Sequence, residues 1–86
     1  MVINNVLDYD IILIMNCLNY RWEKDYRYYE VHLEHDLYGC VIVKIWGRKQ
    51  TRIGRDMKVR VDSYQEGLKE IEQVKKRRKS RGYEFI

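Results

Sequence analysis

The chain contains no proline, only five glycines in 86 residues, two cysteines and a single phenylalanine. Without proline and with so little glycine, neither a flexible linker nor a low-complexity tract is visible, and no internal repeat appears. Two cysteines, Cys17 and Cys40, are too few for a disulfide framework, so a reducing compartment is expected. Long apolar runs are also missing. The most apolar stretch, Ile11 to Met15, is flanked by Asp8, Asp10 and Asn16 and falls far short of the roughly 20 residues that a spanning helix needs. It reads as a buried strand. With no secretion signal at the N-terminus either, the expectation is a cytoplasmic domain with no membrane partner.

What the first half lacks is positive charge. Residues 1–43 carry three Lys/Arg against seven Asp/Glu, a net of −4, whereas residues 44–86 carry fourteen against six, a net of +8, which gives the overall +4. Such asymmetry suggests an anionic partner for the C-terminal half, with nucleic acid the commonest candidate. The bland alternative is a solvated basic surface. A chain of this length builds one core, so whatever the protein does happens on one small domain.

The pattern of apolar residues predicts strands first. In "RYYEVHLEH", residues 27–35, alternation sets Tyr29, Val31 and Leu33 on one face and Tyr28, Glu30, His32 and Glu34 on the other. Asp36-Leu37-Tyr38-Gly39 suits a hairpin connection, and Cys40 to Trp46 is the return strand. If Val41, Val43 and Ile45 join Tyr29, Val31 and Leu33 in the core, Trp46 falls on the partly exposed face with Lys44, Glu30 and His32; another register buries it. Past Gly47 a polar loop, "RKQTRIGRD", leads to a strand over Met57–Val61 with Met57, Val59 and Val61 inward and Lys58 and Arg60 outward.

Asp62-Ser63 then announces a helix, with Ser63 and Glu66 spaced as a capping box. Tyr64, Leu68, Ile71 and Val74 mark its apolar stripe, and Gly67 permits a close approach. Six cations in residues 75–81 favour the negative end of the helix dipole, and Gly82 is the candidate stop. Tyr83 to Ile86 form a short edge strand. The expected fold is therefore α+β: an antiparallel sheet of four to five strands with one amphipathic C-terminal helix packed on it.

Tyr28-Tyr29-Glu30-Val31, then Trp46-Gly47-Arg48, then the "DSYQEGL" helix opening, and the basic helix end closing on Arg81-Gly82-Tyr83 occur in that order. Together they resemble the WGR domain, a family known from DNA-dependent poly(ADP-ribose) polymerases and from short bacterial proteins. The resemblance spans residues 8–86 and leaves residues 1–7 as a short extension. It implies an antiparallel sheet with one helix, and binding of DNA near a strand break. Trp46 would pack on the sugar of a terminal nucleotide, Arg48 would bridge to DNA or to a partner domain, and Gly47 would let the backbone come close. Lys49-Gln50 departs from the family, which has a small apolar residue and a glycine there, so a different local turn is expected. Tyr26 stands where the family often has asparagine.

The residues support such roles on their own terms. An exposed aromatic stacks on a base or sugar with little sequence preference, and Lys44, Lys49, Arg52, Arg55 and Lys58 would meet phosphates rather than read bases. Tyr28, Lys75, Lys76, Arg77 and Tyr83 are further candidate contacts. Glu30, His32 and Glu34 share a strand face, but with no Cys-x-x-Cys and no phosphate-binding glycine loop we expect ordinary surface residues, no enzyme, and no metal, cofactor or small-molecule substrate. The expectation is a non-enzymatic module that binds DNA ends or breaks; the alternative is a protein-interaction adaptor using Tyr28, Trp46 and Arg48.

Overall fold

A computed structural model describes residues 17–52 and 54–86. The chain runs β1 (Leu18–Lys24), β2 (Arg27–Asp36), β3 (Gly39–Arg48), β4 (Gly54–Val61), α1 (Tyr64–Ser80) and β5 (Glu84–Phe85). All five strands form one antiparallel sheet in the order β4-β3-β2-β1-β5, so the expected α+β architecture is observed. The strand expected at Ile11–Met15 and the extension at 1–7 lie outside the described residues.

The order of the strands dictates where the helix lies. β4 and β5 are opposite edges of the sheet, and α1 is the connection between them. Four strand spacings are about 19 Å, which the 17 residues of α1 cross at about 1.5 Å per residue. The helix therefore covers one face. Trp22, Val31, Leu33, Cys40 and Ile42 from the sheet bury against Ile71 and Val74 of α1, with Tyr20, Tyr29, Leu68 and Tyr83 half-buried around them.

The register differs from the grouping in which Val41, Val43 and Ile45 join the core. Asp36 pairs with Gly39, which leaves Leu37 and Tyr38 as a two-residue loop. Paired residue numbers therefore sum to an odd total, and odd positions of β2 face even positions of β3. Leu33 meets Ile42, Val31 meets Lys44, and Tyr29 meets Trp46. Val41, Val43 and Ile45 lie on the other face opposite Glu34, His32 and Glu30. Trp46 is thus on the helix side, half-buried. Met57 and Val59 share that side by register, yet they stay 49% and 44% exposed, because α1 packs over the centre of the sheet and leaves the β4 edge open.

Local chemistry closes each end of α1. The Glu66 amide donates to Ser63 Oγ at 3.1 Å, supplying one of the orphan donors of the first turn with a partner. At the other end the Tyr83 amide donates to the Arg78 carbonyl and the Gly82 amide to the Lys79 carbonyl. That pair of bonds is a Schellman motif, with Gly82 at φ 82° where a side chain would be strained. After Arg48, Gln50 takes φ 62°, the conformation glycine favours. The turn is held by the Lys49 amide on the Tyr26 carbonyl at 2.7 Å.

At the hairpin tip, Arg60 Nη1 and Nη2 reach the two oxygens of Asp36 at 3.1 and 2.8 Å. Together with the Tyr38 amide, Arg60 pushes the Asp36 carboxyl from 3.8 down to about 2. A lowered value in the folded state means that this contribution to stability is complete above pH 3.8 and is lost as pH falls through about 2. The gap in unfolding midpoint between wild type and Asp36→Asn should hold steady at neutral pH and narrow across that acid window; a gap unchanged down to its lower end would contradict the pairing. A second expectation concerns the helix–sheet contact. A Cβ on Gly67 would lie 2.8 Å from Cδ1 of Leu33, whose side chain is 0% exposed. Alanine gains about 1 kcal/mol of helix propensity over glycine, but overpacking costs about 1–3 kcal/mol, so Gly67→Ala should lower the denaturant midpoint, and a raised midpoint would show that α1 can lift away from Leu33.

Candidate functional site

One rung of paired residues crosses the helix side of the sheet. Arg55 pairs with Trp46, Trp46 with Tyr29, Tyr29 with Trp22, and Trp22 with Phe85. Four consecutive aromatics are therefore set side by side from β3 to β5, with a cation at the β4 end. Trp46 and Tyr29 stack with centroids 6.0 Å apart and planes 14° apart; Tyr29 to Trp22 is 6.5 Å and Trp22 to Phe85 5.7 Å. The helix covers the middle of the rung and leaves both ends open.

Arg78 is what the helix lays on that middle. It falls four residues after Val74 and seven after Ile71, on the apolar stripe, and is only 7% exposed. Its guanidinium carbon sits 4.1 Å from the Tyr29 ring centroid and 4.9 Å from that of Tyr83. Nε is buried and has no hydrogen-bond partner. A cleft of about 490 Å³ opens beside it, between Trp46, Tyr29 and Tyr83, and Arg27, Arg48 and Arg81 also line it.

The charges in this cleft are not neutralised. Among the described residues no carboxylate lies within ion-pair range of Arg27, Arg48, Arg55, Arg78 or Arg81. Arg27 and Arg48 are direct cross-strand partners, an arrangement of like charges that destabilises a sheet unless an anion lies between or near them. The opposite face is different. There Arg21 binds Glu23 and Glu30 at 3.0 Å, His32 meets Glu30 at 3.1 Å, and Lys49 binds Glu23 at 3.0 Å. The Glu23 carboxyl is held below its usual value by the Lys49 hydrogen bond and then by Arg21.

The cleft brings together part of the set expected from sequence. Trp46, Gly47, Arg48, Lys44 and Tyr83 line it, and Tyr28 reaches its rim although Arg21 lies over the Tyr28 ring at 4.6 Å on the other face. Lys44 is not a free cation, because Glu70 of α1 holds its Nζ at 2.6 Å. Arg55 is placed on the same side by its pairing with Trp46. Lys49 is bound to Glu23, Arg52 is exposed in the turn, and Lys58, paired with Val43, is on the opposite face. Lys75 lies over Tyr20 at 4.4 Å, while Lys76 and Arg77 are exposed on the outer side of the helix. Sequence reasoning missed Arg27, Arg78 and Arg81. Continuing the apolar stripe by four residues would have found Arg78, and counting back from the Asp36–Gly39 pair would have set Arg27 against Arg48.

Among the described residues, no group of three His, Cys, Asp or Glu side chains is arranged to hold a metal ion, and no helix is long and apolar enough to cross a membrane. Compared with known proteins, the chain matches no family model, no curated protein and no solved structure.

The magnitudes say what Arg78 contributes to the fold alone. An unsatisfied buried donor costs about 1–3 kcal/mol, and each ring contact returns about 0.5–2 kcal/mol. These nearly cancel, so Arg78→Met, which keeps the buried stem, should change stability by less than about 1 kcal/mol. If the cleft receives an anion, inorganic phosphate should raise the thermal midpoint of the wild type and the same substitution should abolish that rise. A strong loss of stability, or a phosphate effect that survives in the variant, would count against an anion receptor.

Proposed function

We propose that this domain binds nucleic acid, and DNA ends or breaks in particular, through the cleft between Trp46 and Arg78. The observation that carries this reading is Arg78: a guanidinium 7% exposed, with an unpartnered Nε, sandwiched by two tyrosines and opening on a cleft ringed by unpaired arginines. The two rings compensate its burial, and the unfilled Nε donor remains available to an anion. The flat wall of Trp46 beside it suits a sugar or base, and a duplex end or gap is where such a surface is offered without unstacking an interior base pair. The resemblance of Trp46-Gly47-Arg48 and its flanking motifs to the WGR domain points the same way.

In this reading Arg27, Arg48, Arg78 and Arg81 meet phosphate oxygens. They position the strand and read no base edge, so sequence selectivity is low. Lys58 and Lys49 have no part in it, since one faces away and the other is bound to Glu23.

Fluorescence anisotropy with blunt and nicked duplexes at two salt concentrations tests the proposal. Four phosphate contacts give a slope of log affinity against log salt of about −3 to −4. Trp46→Ala should cost about 1–3 kcal/mol of binding. Absence of binding at low salt, or binding indifferent to both the substitution and the presence of an end, would sink it.

A further inference from the structure

The far end of the aromatic rung has its own groove. Tyr20, Trp22, Phe85 and Tyr83 wall a cavity of about 480 Å³, with Lys75 and Lys79, one helical turn apart, on its rim. Phe85 is 63% exposed, although its pairing with Trp22 sets it on the helix side of the sheet with the rings 5.7 Å apart. Tyr20 lies 6.0 Å from Phe85 and 6.2 Å from Trp22, so the three rings form a mutually adjacent cluster. Tyr83 lines both this groove and the Trp46 cleft, so the two share a wall at the end of α1.

The chemistry of the groove selects its occupant. Aromatic walls without cations nearby would suit a quaternary ammonium. Here Lys75 Nζ already occupies the face of Tyr20 at 4.4 Å, which excludes a cationic ligand. Lys75 is shared with Glu72 at 3.2 Å, whereas among the described residues no carboxylate lies within ion-pair range of Lys79. The negative end of the helix dipole is also offset, because Lys24 Nζ donates to the Arg81 carbonyl at 2.7 Å. A flat ring that carries a negative charge fits best.

We propose that Phe85 forms a second stacking platform, which takes an unpaired nucleotide of the strand whose last paired nucleotide lies against Trp46. This rests on the nucleic-acid reading above and extends it from an end to an end with a single-stranded overhang. Trp46 and Phe85 stand three strand spacings apart along the rung, about 14 Å. That span is about four nucleotides of stacked strand at about 3.4 Å each. Arg78 and Arg81, between the platforms, would take the intervening phosphates.

The test compares a blunt duplex with the same duplex carrying an overhang, by fluorescence anisotropy on the full chain. Wild type should bind the overhang form about tenfold tighter, the effect of one stacked base. Phe85→Ala should lose that gain and keep the blunt-end affinity, and Phe85→Tyr should retain it. Lys79→Glu, on an exposed helix position, should lose most of it without disturbing the fold. An overhang gain equal in wild type, Phe85→Ala and Lys79→Glu overturns the second platform. So does a wild type that binds both duplexes alike, an outcome that leaves the Trp46 cleft standing. No binding to either duplex defeats both proposals.

Discussion

The pairing of Asp36 with Gly39 is the constraint on which the rest of this structure depends. A two-residue loop permits one parity between β2 and β3, and that parity decides which side every residue of the hairpin takes. A loop one residue longer or shorter would exchange the faces. Trp46 would then join Glu30 and His32, and Val41, Val43 and Ile45 would look into the helix. Asp36 itself guards the register, accepting from the Tyr38 amide at 2.8 Å and binding Arg60 of β4 across β3. The chemistry at the tip of the hairpin therefore places the aromatic rung at its far end.

The same parity segregates charge. On the helix-free face, acidic side chains of β1 and β2 neutralise the cations near them, and Glu23 and Glu30 together occupy Arg21, His32 and Lys49. On the helix side Glu70 takes Lys44, but among the described residues no carboxylate pairs with the arginines around Trp46 and Tyr83. A net charge of +4 spread evenly would mean little for function. Concentrated beside aromatic side chains, the same charge gives one surface a locally positive potential.

Much of the architecture was legible from pattern. Alternation marked β2 and β3, Ser63 and Glu66 marked the start of α1, and Gly82 marked its end, because each of these signals acts through neighbours within a few residues of itself. The inward placement of Met57 and Val59 failed for the reason that alternation gives a side of the sheet and not its cover. At Gln50 the backbone takes a conformation that glutamine seldom adopts by itself, next to the hydrogen bond from the Lys49 amide to the Tyr26 carbonyl. Of the candidate site, Trp46, Gly47 and Arg48 were found as a motif. Arg27 and Arg81 were passed over because they stand apart from that motif in sequence.

The sequence by itself did not mark β1 and left the parity of the central hairpin open; it determined β2, β3, β4, α1 and β5 in order, the helix caps and the split of charge between halves. All of these follow from local backbone preference and period. Only the tertiary structure decided that a cation in a basic helix end lies between Tyr29 and Tyr83 while Arg77 beside it stays in solvent. It also decided that Lys44 is spent on Glu70, and that the ends of the aromatic rung remain uncovered. Those outcomes depend on where α1 crosses the sheet, and that crossing is set by packing among residues far apart in the chain: Gly67 against Leu33, and Ile71 and Val74 against the centre of the sheet.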